Sequence, residues 1–166
     1  MIAKSYLQKT LDKLEKLYNG SISTAEGLFY SKLALLELCG WIEESMDEIV
    51  QTCCHRMIKD KKERKEITEF ISKNHSFEYD PHFRRMLGQI IGRKGLITFE
   101  KKVDLAKLQR LQATLSILKK ARDNEAHTHI KGTTKRLDAP SVTKANYLLI
   151  YNGLIEIDEK LKKIGF

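Results

Sequence analysis

A chain of 166 residues holds one hydrophobic core comfortably and two only with difficulty. Its 42% hydrophobic and 31% charged residues exclude a disordered chain, and two prolines against nine glycines leave few breaks in what should be long helices. The net charge of +8 favours an anionic partner, nucleic acid ahead of membrane. Cys39, Cys53 and Cys54 fall on apolar helix faces without Cys-x-x-Cys spacing, which argues for buried thiols in a reducing compartment and against a zinc site. The longest apolar run, Tyr147 to Ile155, is too short to span a bilayer, and no signal-peptide pattern opens the chain. The expectation is a cytoplasmic protein with no membrane segment.

Taken in order, residues 1–18 form an amphipathic helix with Leu7, Leu11, Leu14 and Tyr18 on one side, stopped by Asn19-Gly20. Ser21 to Thr24 supply caps for the next helix. Residues 25–60 carry Leu36, Cys39, Ile42, Met46, Ile49 or Val50, Cys53 and Met57 at threes and fours. Leu28, Phe29, Leu33, Leu35, Leu38 and Trp41 widen that stripe. So broad an apolar surface marks the central helix of a bundle. Its tail, Lys59 to Glu66, reads as a solvated helix face or turn, with helix continuing to Ser72 and an irregular stretch from Lys73 to Tyr79. Asp80-Pro81 is a cap-and-first-turn signal for a short helix burying Phe83, Met86, Leu87, Ile90 and Ile91. That helix closes at the basic loop Gly92-Arg-Lys-Gly95, and residues 96–103 connect it to the next.

Asp104 to about His127 is the helix around which function is expected to gather. Lys131 to Pro140 follows as a polar loop. A last helix, capped by Ser141, runs to Lys163 and packs Val142, Ala145, Leu148, Leu149, Ile155 and Leu161. Asn152-Gly153 inside it predicts a kink or a close backbone approach to a neighbour. The fold class is all-α: an up-and-down bundle of four to five helices in one domain spanning 1–166.

Leu108, Leu111, Leu115 and Leu118 form one face of the 104–127 helix, and the next member of the series is Arg122. A guanidinium on an apolar stripe is costly unless it is paired or faces a cleft. Five residues on stands His127, histidine being the residue type whose unperturbed charge change lies closest to neutral pH, and Asp123 lies one turn before it, placed to orient the imidazole. A fixed cation and a proton carrier are the parts needed to cleave RNA without metal. The 2′-hydroxyl is the nucleophile, so the protein need only move protons and stabilise charge on phosphorus.

The segment Arg122-Asp-Asn-Glu-Ala-His127 resembles the Arg-x4-His signature of the HEPN superfamily, with a polar residue directly after the arginine. The resemblance runs in pattern from roughly Ala25 to Lys163, and only the six-residue signature is sequence-specific. It implies a HEPN-like helical domain, commonly dimeric, acting as a metal-independent endoribonuclease in toxin or phage-defence roles, with no cofactor. It also implies that Arg122 stabilises the phosphorane, His127 transfers protons and Asp123 supports them, in a cleft composed by two subunits. Asn124 and His129 are further supporting residues, and Lys119, Lys131, Lys135 and Arg136 would hold neighbouring phosphates. The implied partners are RNA, a second copy of the chain, and an antitoxin or regulatory protein. Two departures stand out: Asp123 occupies a position that is often asparagine, and His129 stands where one toxin branch carries a tyrosine that its antitoxin modifies. The alternative is a non-catalytic HEPN-like module that binds RNA or a protein.

Overall fold

The computed structural model describes Ile2, residues 5–130 and residues 136–166. It is an all-helical bundle of six α-helices around one core: α1 (Ser5–Asn19), α2 (Thr24–Met57), α3 (Lys61–Ser72), α4 (Arg84–Glu100), α5 (Leu105–Ala126) and α6 (Pro140–Lys163). Among the described residues there is no strand, and no helix is long and apolar enough to cross a membrane.

The expected central helix is α2, which packs against every other helix. Its start is fixed by Ser23, whose side chain accepts a hydrogen bond from the Glu26 backbone N–H at 3.2 Å, while Glu26 reaches back to the Ile22 N–H at 2.9 Å. The inner face is tiled by Leu38, Cys39, Ile42, Met46, Ile49, Val50 and Cys53. Phe29 and Leu33, expected to widen it, are exposed. All three cysteines are buried free thiols, and burial pushes Cys53 up to about 11.

The count rises from the expected four or five helices to six because α3 is a new helix rather than the tail of α2. Asp60 starts it by accepting from the Glu63 N–H at 2.9 Å. The Asp80-Pro81 expectation is corrected. Asp80 lies inside a single π-helical turn, Tyr79–Phe83, and caps nothing; the wider turn closes with the Phe83 N–H on the Glu78 carbonyl at 3.2 Å.

The loop expected at Gly92 to Gly95 and the connector at 96–103 are also corrected. The chain does break at Gly92, with φ 67° and ψ 170°, but helix resumes at once and runs to Glu100. Arg84 binds Glu100 through two hydrogen bonds, from Nε at 2.5 Å and from Nη2 at 3.2 Å. Sixteen residues of straight helix would hold those side chains about 24 Å apart. The two arms of α4 therefore fold back on each other at Gly92.

In α6 the buried face is rotated from the expected one. Tyr147, Ile150, Leu154, Ile157 and Leu161 point inward, whereas Val142, Ala145, Leu148 and Leu149 are exposed. The helix starts at Pro140, pre-set for a first turn, so Ser141 is not its cap. Gly153 fulfils the close-approach expectation: a Cβ there would sit 3.1–3.2 Å from three atoms of Leu111 on α5.

Candidate functional site

The leucine stripe of α5 is buried as expected, and Asp104 caps the helix by accepting from the Lys107 N–H at 3.0 Å. At its far end the stripe passes to Arg122, whose side chain is 21% exposed. Its Nη2 donates to Glu43 Oε1 of α2 at 2.8 Å and to the His75 carbonyl at 3.3 Å, and its guanidinium lies 5.5 Å from the centre of the Phe77 ring. Its Nε approaches Asp123 Oδ1 at 3.5 Å without a hydrogen bond to any described residue. The arginine is thus a junction of α5, α2 and the irregular stretch 73–78.

Asp123 makes no hydrogen bond to His127. It accepts a hydrogen bond from Lys119, and that bond, with the charges of Lys119, Arg122 and His127, holds its carboxyl below the usual carboxylate range. Asp123 therefore contacts Lys119 and Arg122 directly and acts on His127 through its charge alone. Lys119 spends its ammonium on this pair.

α5 ends at Ala126 and His127 is its C-cap. The terminal carbonyls are covered by Thr128, whose hydroxyl donates to Asn124 O at 2.7 Å and whose backbone N–H reaches Glu125 O at 3.4 Å. Lys32 of α2 in turn holds the Thr128 carbonyl. This arrangement leaves the exposed rings of His127 and His129 without a hydrogen bond among the described residues. Asn124 is exposed beside them. Arg136 is exposed as α6 approaches, and Lys131 and Lys135 lie outside the described residues.

Sequence reasoning passed over Glu43, Asp47 and Phe77, and took His75 for a surface or capping residue. Asp47, one turn beyond Glu43, has its carboxyl pushed up to about 6 by burial and by the Glu43 charge, with His75 pulling it back. Burial likewise drives the Cys39 thiol up to about 12, against the opposing pull of Arg122. A signal was present: Glu43 and Asp47 border the broad α2 stripe at the i, i+4 spacing of one helix edge. The tie of Glu43 to Arg122, 79 positions away, was not legible. Among the described residues no group of three or more His, Cys, Asp or Glu is arranged to hold a metal ion.

No family model, curated protein or solved structure matches the chain.

Proposed function

We propose that the chain is a metal-independent endoribonuclease of the HEPN type, acting as a homodimer in which two copies of the α5 terminus line one cleft. The observation that carries the reading is the pairing of opposite states on one helix end. Arg122 is held half-buried by Glu43 at 2.8 Å, and five residues later the His127 ring is exposed and uncommitted. A preorganised cation suits a phosphorane whose charge develops during reaction, and an accessible imidazole suits proton exchange. The 2′-oxygen would attack the adjacent phosphorus while one His127 removes its proton. The 5′-oxygen would leave with a proton from the second copy's imidazole, so that the products are a 2′,3′-cyclic phosphate and a 5′-hydroxyl.

The test is incubation of the chain with single-stranded RNA in excess chelator. Cleavage to cyclic-phosphate ends is expected, and Arg122→Ala and His127→Ala each abolish it. Wild-type activity in either folded variant removes the mechanism, and activity that chelator destroys removes its metal independence.

One observation favours a second reading. Arg122 is already engaged within its own subunit, its Nη2 by Glu43 and the His75 carbonyl and its guanidinium by the Phe77 ring. A clamp of that kind serves a non-catalytic helical module equally well, one that binds RNA or a protein partner. Salt-sensitive RNA binding without turnover is its signature.

A further inference from the structure

One side of α2 is covered over only part of its length. Phe29, Leu33, Leu36 and Gly40 follow one another at spacings of four, three and four, so they share that side. Glu43 and Asp47 continue it, and there Arg122 and the 73–78 stretch close over the helix. The earlier half stays open: Phe29 is 58% exposed, Leu33 44% exposed and Leu36 half-buried. At Gly40 an added Cβ would meet nothing within 4 Å. The glycine lines a hollow of about 340 Å³ together with Leu36, Trp41 and, from α1, Tyr6 and Leu7. That exceeds the roughly 150 Å³ that accommodates a benzene ring. An exposed glycine in mid-helix weakens it against alanine, and packing within the chain gives no reason for this one.

We propose that this side of α2 is the interface with a second copy of the chain, the two helices antiparallel and the Phe29 ring of each seated over the Gly40 of the other. The spacing is self-complementary. With the twofold axis level with the midpoint of residues 34 and 35, Phe29 stands level with Gly40 of the second copy and Leu33 with its Leu36. A parallel pairing would set Phe29 against Phe29 and leave both hollows empty. At about 150–250 Å² for an aromatic side chain, Phe29 and Tyr6, the latter 83% exposed, put about 300 Å² of ring surface on this face of each copy. Joined by Leu33, that suffices for the apolar centre of an interface whose standard size is about 800 Å² per partner, the remainder being polar rim. The inference rests on the ribonuclease reading for its purpose, and it names the surface which that reading requires. Lys32, on the edge of this face, holds the Thr128 carbonyl just beyond the end of α5. The twofold axis keeps the Lys32 edges of both copies together, five residues apart in level, or about 7.5 Å along the helix. The two α5 termini, each with its exposed His127, therefore arrive on the same side of the interface, and neither copy's site is complete without the other.

Sedimentation of the full chain over a concentration series reads the association. A dimer is expected, and Phe29→Ala and Leu33→Glu, both at exposed positions, should each weaken it about thirtyfold or more, the scale of a hot-spot side chain. Leu105→Glu, at a comparably exposed position on the first turn of α5, is the control and should leave the dimer unchanged. Gly40→Leu separates interface from fold. With open space above the glycine, the variant should melt no lower than the parent, yet its side chain blocks the seat of the Phe29 ring and the dimer should dissociate. A monomeric wild type would assign this face to a different protein and overturn the proposal. A dimer that survives Leu33→Glu and Gly40→Leu in folded chains would overturn it equally. In the RNA assay, cleavage that persists in monomeric Leu33→Glu overturns the shared site. Dimerisation through this face without any cleavage removes the nuclease and leaves the interface.

Discussion

The Arg122–Glu43 pair sets the orientation of the proposed phosphate-binding cation, and its energy can be isolated. Arg122→Ala removes the 2.8 Å bond to Glu43, the longer bond to the His75 carbonyl and the guanidinium over Phe77. With side chains 21% and 31% exposed, the pair lies between a solvated surface bridge and a fully buried one. Those limits are about 0–1 kcal/mol and about 3–5 kcal/mol on removal of one partner. Adding about 0.5–1 kcal/mol for the ring contact gives an expected loss of about 2–3 kcal/mol. Glu43→Gln keeps the shape and loses the charge, for about 1–2 kcal/mol. Because both variants break the same contact, the double variant should be less destabilised than the sum by about 1–2 kcal/mol. Urea unfolding of the four proteins at neutral pH measures this coupling. Losses that add to within about 0.3–0.5 kcal/mol would show the two side chains to be energetically independent, and the anchoring role would fall. In the RNA assay, Glu43→Gln keeps a loosely held arginine. A loss of about tenfold to a hundredfold is expected, the scale of a misplaced group, against complete loss for Arg122→Ala.

Three further outcomes follow from the same geometry. Asp47 is held up at about 6 in the folded chain against an ordinary value of 3.8, so between those pH values the folded state holds a proton that the unfolded state has released. Stability present below the lower value is lost as pH rises to the upper one. Two pKa units would be about 3 kcal/mol at full burial, reduced to about 1–2 kcal/mol because solvent reaches the group. Asp47→Asn should flatten that slope in denaturation series from pH 3 to 7, and an unchanged slope would remove Asp47 as its source. Gly153→Ala gains about 1 kcal/mol of helix propensity but forces a methyl to within 3.1–3.2 Å of Leu111, an overpacking cost of about 1–3 kcal/mol. Net destabilisation is expected by thermal melting, with a smaller penalty when the substitution is made in a Leu111→Ala background, and a stabilised single variant would contradict the close approach. Gly92→Ala meets no neighbour within 4 Å, yet should cost about 1–3 kcal/mol, because its backbone conformation is nearly closed to L side chains. An unaffected melting temperature would refute the strain.

Periodicity carried the helices whose two sides differ strongly. The α5 leucines and the α1 stripe of Leu7, Leu11 and Leu14 occupy the expected inner faces, and Asp104 and Ser23 begin helices within the anticipated stretches. It failed on α6, where apolar residues lie on nearly every side. Neighbours, rather than the pattern, chose Tyr147 over Leu148 as the buried member. It failed again after Gly92, where glycines and basic residues suggest a loop. The second arm of α4 is nevertheless held by Leu96 and Phe99 in the core and by the Arg84 clasp on Glu100. At the candidate site the cationic and titratable residues were legible as a local motif. What surrounds Arg122 was not, because Glu43 and the 73–78 stretch reach it only through the tertiary fold. The inward position of Glu125 was equally hidden, a glutamate near a helix end being ordinarily solvated.

The doubling-back of α4 at one glycine has a kinetic consequence. Closing it brings together partners only sixteen positions apart, whereas joining Lys144 of α6 to Glu15 of α1 must close a loop of 129. Loop entropy rises with that span, so the helical hairpin can assemble while the chain is still largely open and offer α2 an early surface to condense upon. The last helix would then meet the first late, closing a bundle whose other contacts had already formed.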